Sequence, residues 1–148
     1  MNINFILIDS YNYLNDLVNL SSDLFNQSSR YNLNDFKDAI DHKDYVIYGL
    51  LDNDKLIGYI YYSKIIDEAE IYQIGICKEY QNKKLGELIL NKSILELKKD
   101  NIKQIFLEVR DNNKPAISLY TKLGFKQISI RKKYYDNNID ALILKKEL

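Results

Sequence analysis

The sequence holds a single cysteine, Cys77, and a single histidine, His42. One cysteine forms no intrachain disulfide, which is compatible with a reducing cytosol and a cytoplasmic location. One histidine excludes a multi-histidine metal site. The acidic clusters Asp52-Asn53-Asp54 and Asp136-Asn137-Asn138 read as turns without calcium-loop spacing, so no metal is expected. No stretch approaches the ~20 apolar residues of a membrane-spanning helix. The opening segment Met1 to Asp9 lacks the basic lead and long apolar run of a secretory signal. Charge of one sign is missing too. The 21 basic residues equal the 21 acidic ones, which argues against a broad nucleic-acid footprint. Neither a membrane nor direct nucleic-acid binding is expected, and the chain reads as a monomer or weak dimer.

What is present is a core. A chain of 148 residues, 46% of them hydrophobic, can bury enough apolar surface to fold without staples, and residues 1–148 read as one domain. Phe5 to Ile8 suggests a first strand. Leu14, Leu17, Val18 and Leu24 recur at helical spacing after Asp9 or Ser10 as cap. Asn32 and Asp35 resemble a capping box before a helix that carries Phe36 and Ile40. The linker between these helices, Asn26 to Tyr31, is polar and reads as a mobile rim. Strands are expected over Tyr45–Leu51, Leu56–Ile66, Glu70–Ile76, Gln104–Arg110, Phe125–Ile130 and Ile139–Leu144. Helices are expected from Leu85 to Leu97 and from Pro115 to Leu123, the second closed by Gly124. The order β-α-α-β-β-β-α-β-α-β-β predicts an α/β fold, a mixed and mostly antiparallel sheet flanked by helices.

The informative junction runs Ile74-Gly75-Ile76-Cys77-Lys78-Glu79-Tyr80-Gln81-Asn82-Lys83-Lys84-Leu85-Gly86. A strand feeds a loop that opens a helix, where free backbone N–H groups can hold a phosphate. Lys83 and Lys84 add positive charge, and Gly86 lets the first turn approach a ligand closely. A charged loop before an amphipathic helix is the plainer alternative. Downstream, period-two alternation sets Phe106 and Glu108 on one face of a strand and Leu107 on the other. A carboxylate there has a raised pKa if it is desolvated, and otherwise is a solvated charge or a partner of Arg110.

These segments resemble the GCN5-related N-acetyltransferase (GNAT) superfamily. The loop is similar to its pyrophosphate motif: Gln or Arg, two residues, Gly, one residue, then Gly or Ala. Its positions fall on Gln81, Lys84 and Gly86, so lysine stands at the first glycine. If that position needs positive φ, lysine costs about 1–2 kcal/mol there. Glu68 to Ile76, Leu107 to Asn113, Ala116 to Phe125, and Arg131 to Tyr135 with Asp140-Ala141 resemble the RimI-like branch, which acetylates the amino-terminal alanine of a small-subunit ribosomal protein.

The resemblance implies the acyl-CoA N-acyltransferase fold and acetyl-CoA as cofactor. It also implies direct attack by the amine, with the amino terminus of a small ribosomal protein as partner. It makes Glu108 the general base and Tyr120 the general acid. Backbone groups of Gln73, Ile74, Gly75 and Ile76 would line the pantetheine arm, with the Ile76 N–H on the oxyanion side. Gln81, Asn82, Lys83, Lys84, Leu85 and Gly86 would hold the pyrophosphate. Asn113 would touch coenzyme A or cap its helix, and Tyr120 would reach the cofactor as well. Tyr72, Arg110, Tyr134 and Tyr135 fall on the acceptor side, with Tyr72 and Glu70 also candidates for a water relay. Direct transfer needs no cysteine intermediate, so Cys77 has no expected role. The branch usually carries a Pro-Trp pair on its rim, and Phe25 to Leu33 contains neither residue. A small-molecule amine acceptor, or a non-catalytic acyl-CoA-binding module, are the alternatives.

Overall fold

Along Glu68–Ile76, buried Ala69, Ile71 and Gln73 alternate with exposed Glu68, Glu70 and Tyr72. The alternation marks a strand packed on both sides: Ala69 and Ile71 enter one buried cluster, while Gln73 meets Tyr59 and Ser21 on the other face of the sheet. This strand lies at the centre of a seven-stranded sheet in a computed structural model that describes residues 1–135 and 138–148. In chain order the elements are β1 (Ile3–Leu7), α1 (Leu14–Leu24), α2 (Leu33–Asp41), β2 (Tyr45–Asp52), β3 (Lys55–Ile65) and β4 (Glu68–Ile76). They are followed by α3 (Leu85–Lys99), β5 (Gln104–Arg110), α4 (Lys114–Lys122), β6 (Lys126–Tyr135) and β7 (Ile139–Glu147). The sheet order is β1-β2-β3-β4-β5-β7-β6. Every pairing is antiparallel except β4 with β5. The expected class, a mixed and mostly antiparallel sheet flanked by helices, is the observed one.

Local chemistry sets the helix starts. Asn32 accepts from the Asp35 N–H while Asp35 accepts from the Asn32 N–H, both at 2.9 Å, a full capping box for α2. Ser10 caps a short 3₁₀ turn, Tyr11–Tyr13, that leads into α1. Pro115 sits in the first turn of α4, and Gly124 takes φ +95° just past its end. Two apolar clusters sandwich the sheet. On one face α3 buries Ile89, Leu90 and Leu97 against Ile57, Ile60 and Ile105. On the other, Leu17 and Phe36 from α1 and α2 meet Ile47, Tyr59 and Tyr61. No helix among the described residues is long and apolar enough to cross a membrane.

The last two strands are longer than apolar alternation predicts. Arg131 to Tyr135 carries little apolar burial, yet Arg131 faces Ala141 and Tyr135 faces Ile139 across the ladder. The Tyr135–Ile139 pair and the Lys133 N–H donating to Asp140 Oδ1 at 2.8 Å, rather than a buried face, hold that extension. The turn expected at Asp136-Asn137-Asn138 falls partly outside the described residues.

The sheet is interrupted at its middle. β4 and β5 pair only over Glu68–Ile71 and Gln104–Leu107. Beyond those positions the strands part. The cause lies one residue further on. Across β3, Tyr62 faces Ile71 and Tyr61 faces Gln73, so Tyr72 is an extra residue on β4. Such a bulge bends its strand and increases local twist, which turns the upper half of β4 away from β5.

Candidate active site

The parting of β4 and β5 leaves backbone groups without a ladder partner. The Cys77 N–H donates to the Ile57 carbonyl of β3 at 2.7 Å. Successive residues of a strand direct their N–H groups to opposite edges. The Ile76 and Ile74 N–H groups therefore face the gap. Consistent with this, the Ile76 carbonyl on the same edge accepts from Gln81 Nε2 at 2.9 Å.

Below the gap, the loop after β4 closes into α3. Lys84 is the residue before the first helical turn and lies in the left-handed region, φ 61°, ψ 23°. The glycine-like backbone survives with lysine in it, at a strain of about 1–2 kcal/mol. Asn82 also has positive φ, 62°. α3 has no side-chain cap at this end, unlike α2 and α4. Its first intrahelical bond here runs from the Leu88 N–H to the Lys84 carbonyl, 3.1 Å, so the N–H groups of Leu85, Gly86 and Glu87 remain for a ligand. Leu85 buries its side chain in the core and offers only its backbone. A Cβ at Gly86 would meet only Leu119 Cδ2, at 3.6 Å. The packing of the protein itself thus does not demand glycine there. Lys83 reaches over the Tyr80 ring at 5.8 Å. Lys84→Gly should raise stability by about 1 kcal/mol by relieving the left-handed strain, read from the urea midpoint. A lower midpoint would show that no strain resides there.

Above the gap lies a cleft of about 980 Å³. Glu108 and Arg110 enter it from β5, Tyr120 and Asn113 from α4, and Tyr72, Gln73 and Ile74 from β4. Tyr134 and Tyr135 form one wall, and the α1–α2 loop with Ser29 and Tyr31 forms the other. Glu108 is 3.3 Å from Arg131, a partner other than the Arg110 that was one of the alternatives for it. Arg110 and Arg131 flank the small residue Ala141 on β7. That leaves room for Arg131 to cross to Glu108, while the Arg110 guanidinium stacks 4.2 Å from the Tyr135 ring.

Tyr120 packs edge-on to Phe125, 5.7 Å between centroids. Burial, and then the neighbouring Tyr135, push its phenol up to about 12. Glu70 also lines the cleft, and its carboxyl is held above the usual range by burial and then by the Glu108 charge, against the pull of Arg131. The Tyr72 hydroxyl donates to Ser63 Oγ at 3.1 Å. Asn113 accepts from the Ala116 N–H at 3.3 Å, so it caps α4 while facing the cleft. Cys77 donates to Glu79 Oε2 at 2.8 Å. Burial first, then Glu79, raise its thiol, which disfavours the thiolate a nucleophile requires.

The sequence left Ser29, Tyr31 and Arg131 out of the site. The rim read there as mobile is in fact bonded to the sheet, and Arg131 comes from two strands away. No local pattern announces such contacts.

A mixed sheet that opens beside an uncapped helix start defines the GNAT acyltransferase fold. The acetyltransferase (GNAT) family matches residues 13–125, well over half of the chain, and the chain belongs to that family, within its RimI-like branch. It is 36% identical over 103 residues to the ribosomal protein bS18-alanine N-acetyltransferase of Escherichia coli strain K12, covering 68% of this chain and 70% of that protein. The Haemophilus influenzae protein of the same name is 40% identical over 86 residues, 58% of each chain. The crystal structure of the ribosomal-protein-S18-alanine N-acetyltransferase from Escherichia coli superposes with a TM-score of 0.89 at 26% identity, over 98% of this chain and 93% of that one. Family membership implies acetyl-CoA-dependent acetyl transfer.

Proposed function

We propose that this protein moves acetyl from acetyl-CoA to the amino-terminal alanine amine of a small-subunit ribosomal protein. The observation that carries the reading is the meeting of the Glu108 carboxylate and the Tyr120 phenol in one cleft where β4 and β5 part. The cleft is broad and of mixed charge, with Arg30, Arg110 and Arg131 beside Asp35, Glu70 and Glu108. That lining suits a peptide backbone better than a small polycation, which the arginines would repel. Kinship with proteins named for bS18-alanine acetylation supports the same acceptor.

The residues present fit the cofactor. The free N–H groups of Leu85, Gly86 and Glu87, with Lys83 and Lys84 nearby, suit a pyrophosphate. The gap-facing amides of Ile74 and Ile76 suit a pantetheine arm and a thioester carbonyl. Bound acetyl-CoA supplies the acetyl thioester. Glu108 would accept a proton from the acceptor ammonium, directly or through water, leaving the amine free to attack the acetyl carbon. The gap-facing Ile76 N–H would be the donor to the thioester carbonyl oxygen. Tyr120 would give its proton to the departing sulfur, and the acylated nitrogen would release its second proton to water. Exchange with solvent then restores both residues.

The test is to incubate the protein with acetyl-CoA and a peptide bearing a free amino-terminal alanine. An amino-blocked copy of that peptide and a polyamine serve as competitors. Mass spectrometry should find acetyl on the α-amine of the free peptide alone. Transfer to the polyamine in preference to the peptide would overturn the assignment.

A further inference from the structure

The α1–α2 loop forms one wall of the cleft, yet its internal bonds, such as Ser29 N–H and Arg30 N–H to the Asn26 carbonyl at 3.0 and 2.9 Å, only shape it. Arg110 Nη2 of β5 donates to Ser29 Oγ at 3.4 Å, and a buried polar pair ties the loop's backbone to the rest of the fold. Gln73 of β4 is 8% exposed and Ser21 of α1 is 0% exposed. Gln73 Nε2 donates to the Ser29 carbonyl at 3.0 Å. The Tyr31 N–H donates to Ser21 Oγ at 3.0 Å. Ser21 in turn donates to Gln73 Oε1 at 3.4 Å, and the Tyr59 hydroxyl donates to the same oxygen.

The amide orientation follows from this arrangement. A carbonyl only accepts, so Nε2 must face Ser29 and Oε1 must face the two hydroxyls. Each half of the amide is used, and two loop backbone groups end on this one network. The same region of β4 is pressed from above. A Cβ at Gly75 would lie 2.9 Å from Leu24 Cδ1 and 3.3 Å from Phe25 Cε2. Gln73 follows the Tyr72 bulge, just beyond the last paired position of β4 and β5. Its backbone therefore borders the opening, and its side chain holds the opposite wall.

We propose that Gln73 is a positioning residue whose buried amide fixes the α1–α2 loop as the acceptor-binding wall, and so sets affinity for the acceptor amine. The inference rests on the acetyltransferase reading above but not on the identity of the acceptor. Gln73→Met keeps the length and apolar packing of the side chain while removing all three bonds. Gln73→Glu keeps both acceptor roles and, when ionised, removes only the donor to Ser29. With a peptide acceptor, both variants should raise the acceptor KM about tenfold, several-fold more than they change kcat or the KM for acetyl-CoA. Hydrogen exchange gives a readout that needs no turnover. Amides of residues 26–31 should exchange faster in both variants, with β2, β3 and α3 as protected as in the parent. If the parent acetylates no amino-terminal peptide, the functional assignment fails, and exchange still decides on Gln73. Loop exchange equal to the parent, or faster exchange throughout the chain, overturns the proposal. So does a fall in kcat with an unmoved acceptor KM. Should Gln73→Met fail to fold, Gln73→Glu alone carries the same comparison.

Discussion

Replacing Tyr120 by phenylalanine is expected to lower kcat by about a hundredfold or more, the scale of a lost general acid, with a smaller change in the KM for acetyl-CoA. The aromatic ring would keep its edge contact with Phe125, so the melting temperature should stay near that of the parent. A phenol pushed up to about 12 is protonated on nearly every molecule at neutral pH. It gives up that proton reluctantly, so its contribution comes late, as negative charge gathers on the sulfur. The raised pKa also has a sign for stability. Its contribution is fully present below the unfolded value near 10 and is lost only as pH climbs toward about 12. Tyr120 therefore imposes no alkaline loss of activity or stability over the usual working range. Equal single-turnover rates for the variant and the parent at saturating cofactor would remove the proposed acid.

Glu108→Gln should produce a loss of similar size in kcat/KM, about a hundredfold or more. It should also flatten the limb of the pH–rate profile on which activity falls as the base takes up a proton. The neighbouring carboxylate makes the experiment discriminating. Glu70 lines the same cleft, and its carboxyl is raised by burial and by the Glu108 charge. Removing that charge lets Glu70 ionise more readily. Glu70→Gln, made in parallel, should leave the limb in place. If Glu70→Gln flattens it and Glu108→Gln does not, the base is Glu70. Arg131 stands 3.3 Å from Glu108, so Arg131→Met should disturb the same limb without removing it.

Much of this architecture follows from short-range chemistry. The bounds of β5, the capping box at Asn32 and Asp35, and the stop at Gly124 were legible because each depends on residues within a few positions. The strand-to-helix loop into α3 was legible for the same reason, whereas positive φ at Lys84 was only a condition raised by the family resemblance until the backbone showed it. What escaped the sequence was settled across distance. β6 runs on to Tyr135 because β7 offers a partner, although its own residues stay exposed. Glu108 pairs with Arg131 because small Ala141 lies between strands that no local spacing relates. The rim from Asn26 to Tyr31 is polar and was read as mobile, yet Gln73 and Ser21 hold its backbone from beneath. A glutamine in a strand reads as a surface residue until the hydroxyls of Tyr59 and Ser21 are seen to converge on it.

The extra residue at position 72 makes the enzyme's geometry depend on chain length as much as on side-chain identity. Deleting Tyr72 would let β4 zip regularly onto β3, with Ile71 and Gln73 opposite the consecutive residues Tyr62 and Tyr61 and every later residue on the partner it already has. Gln73 and Ile74 would keep their faces, but the strand would lose the kink that keeps β5 at a distance. Substitutions at this site should be absorbed far better than a one-residue shortening, which would close the door through which both substrates meet.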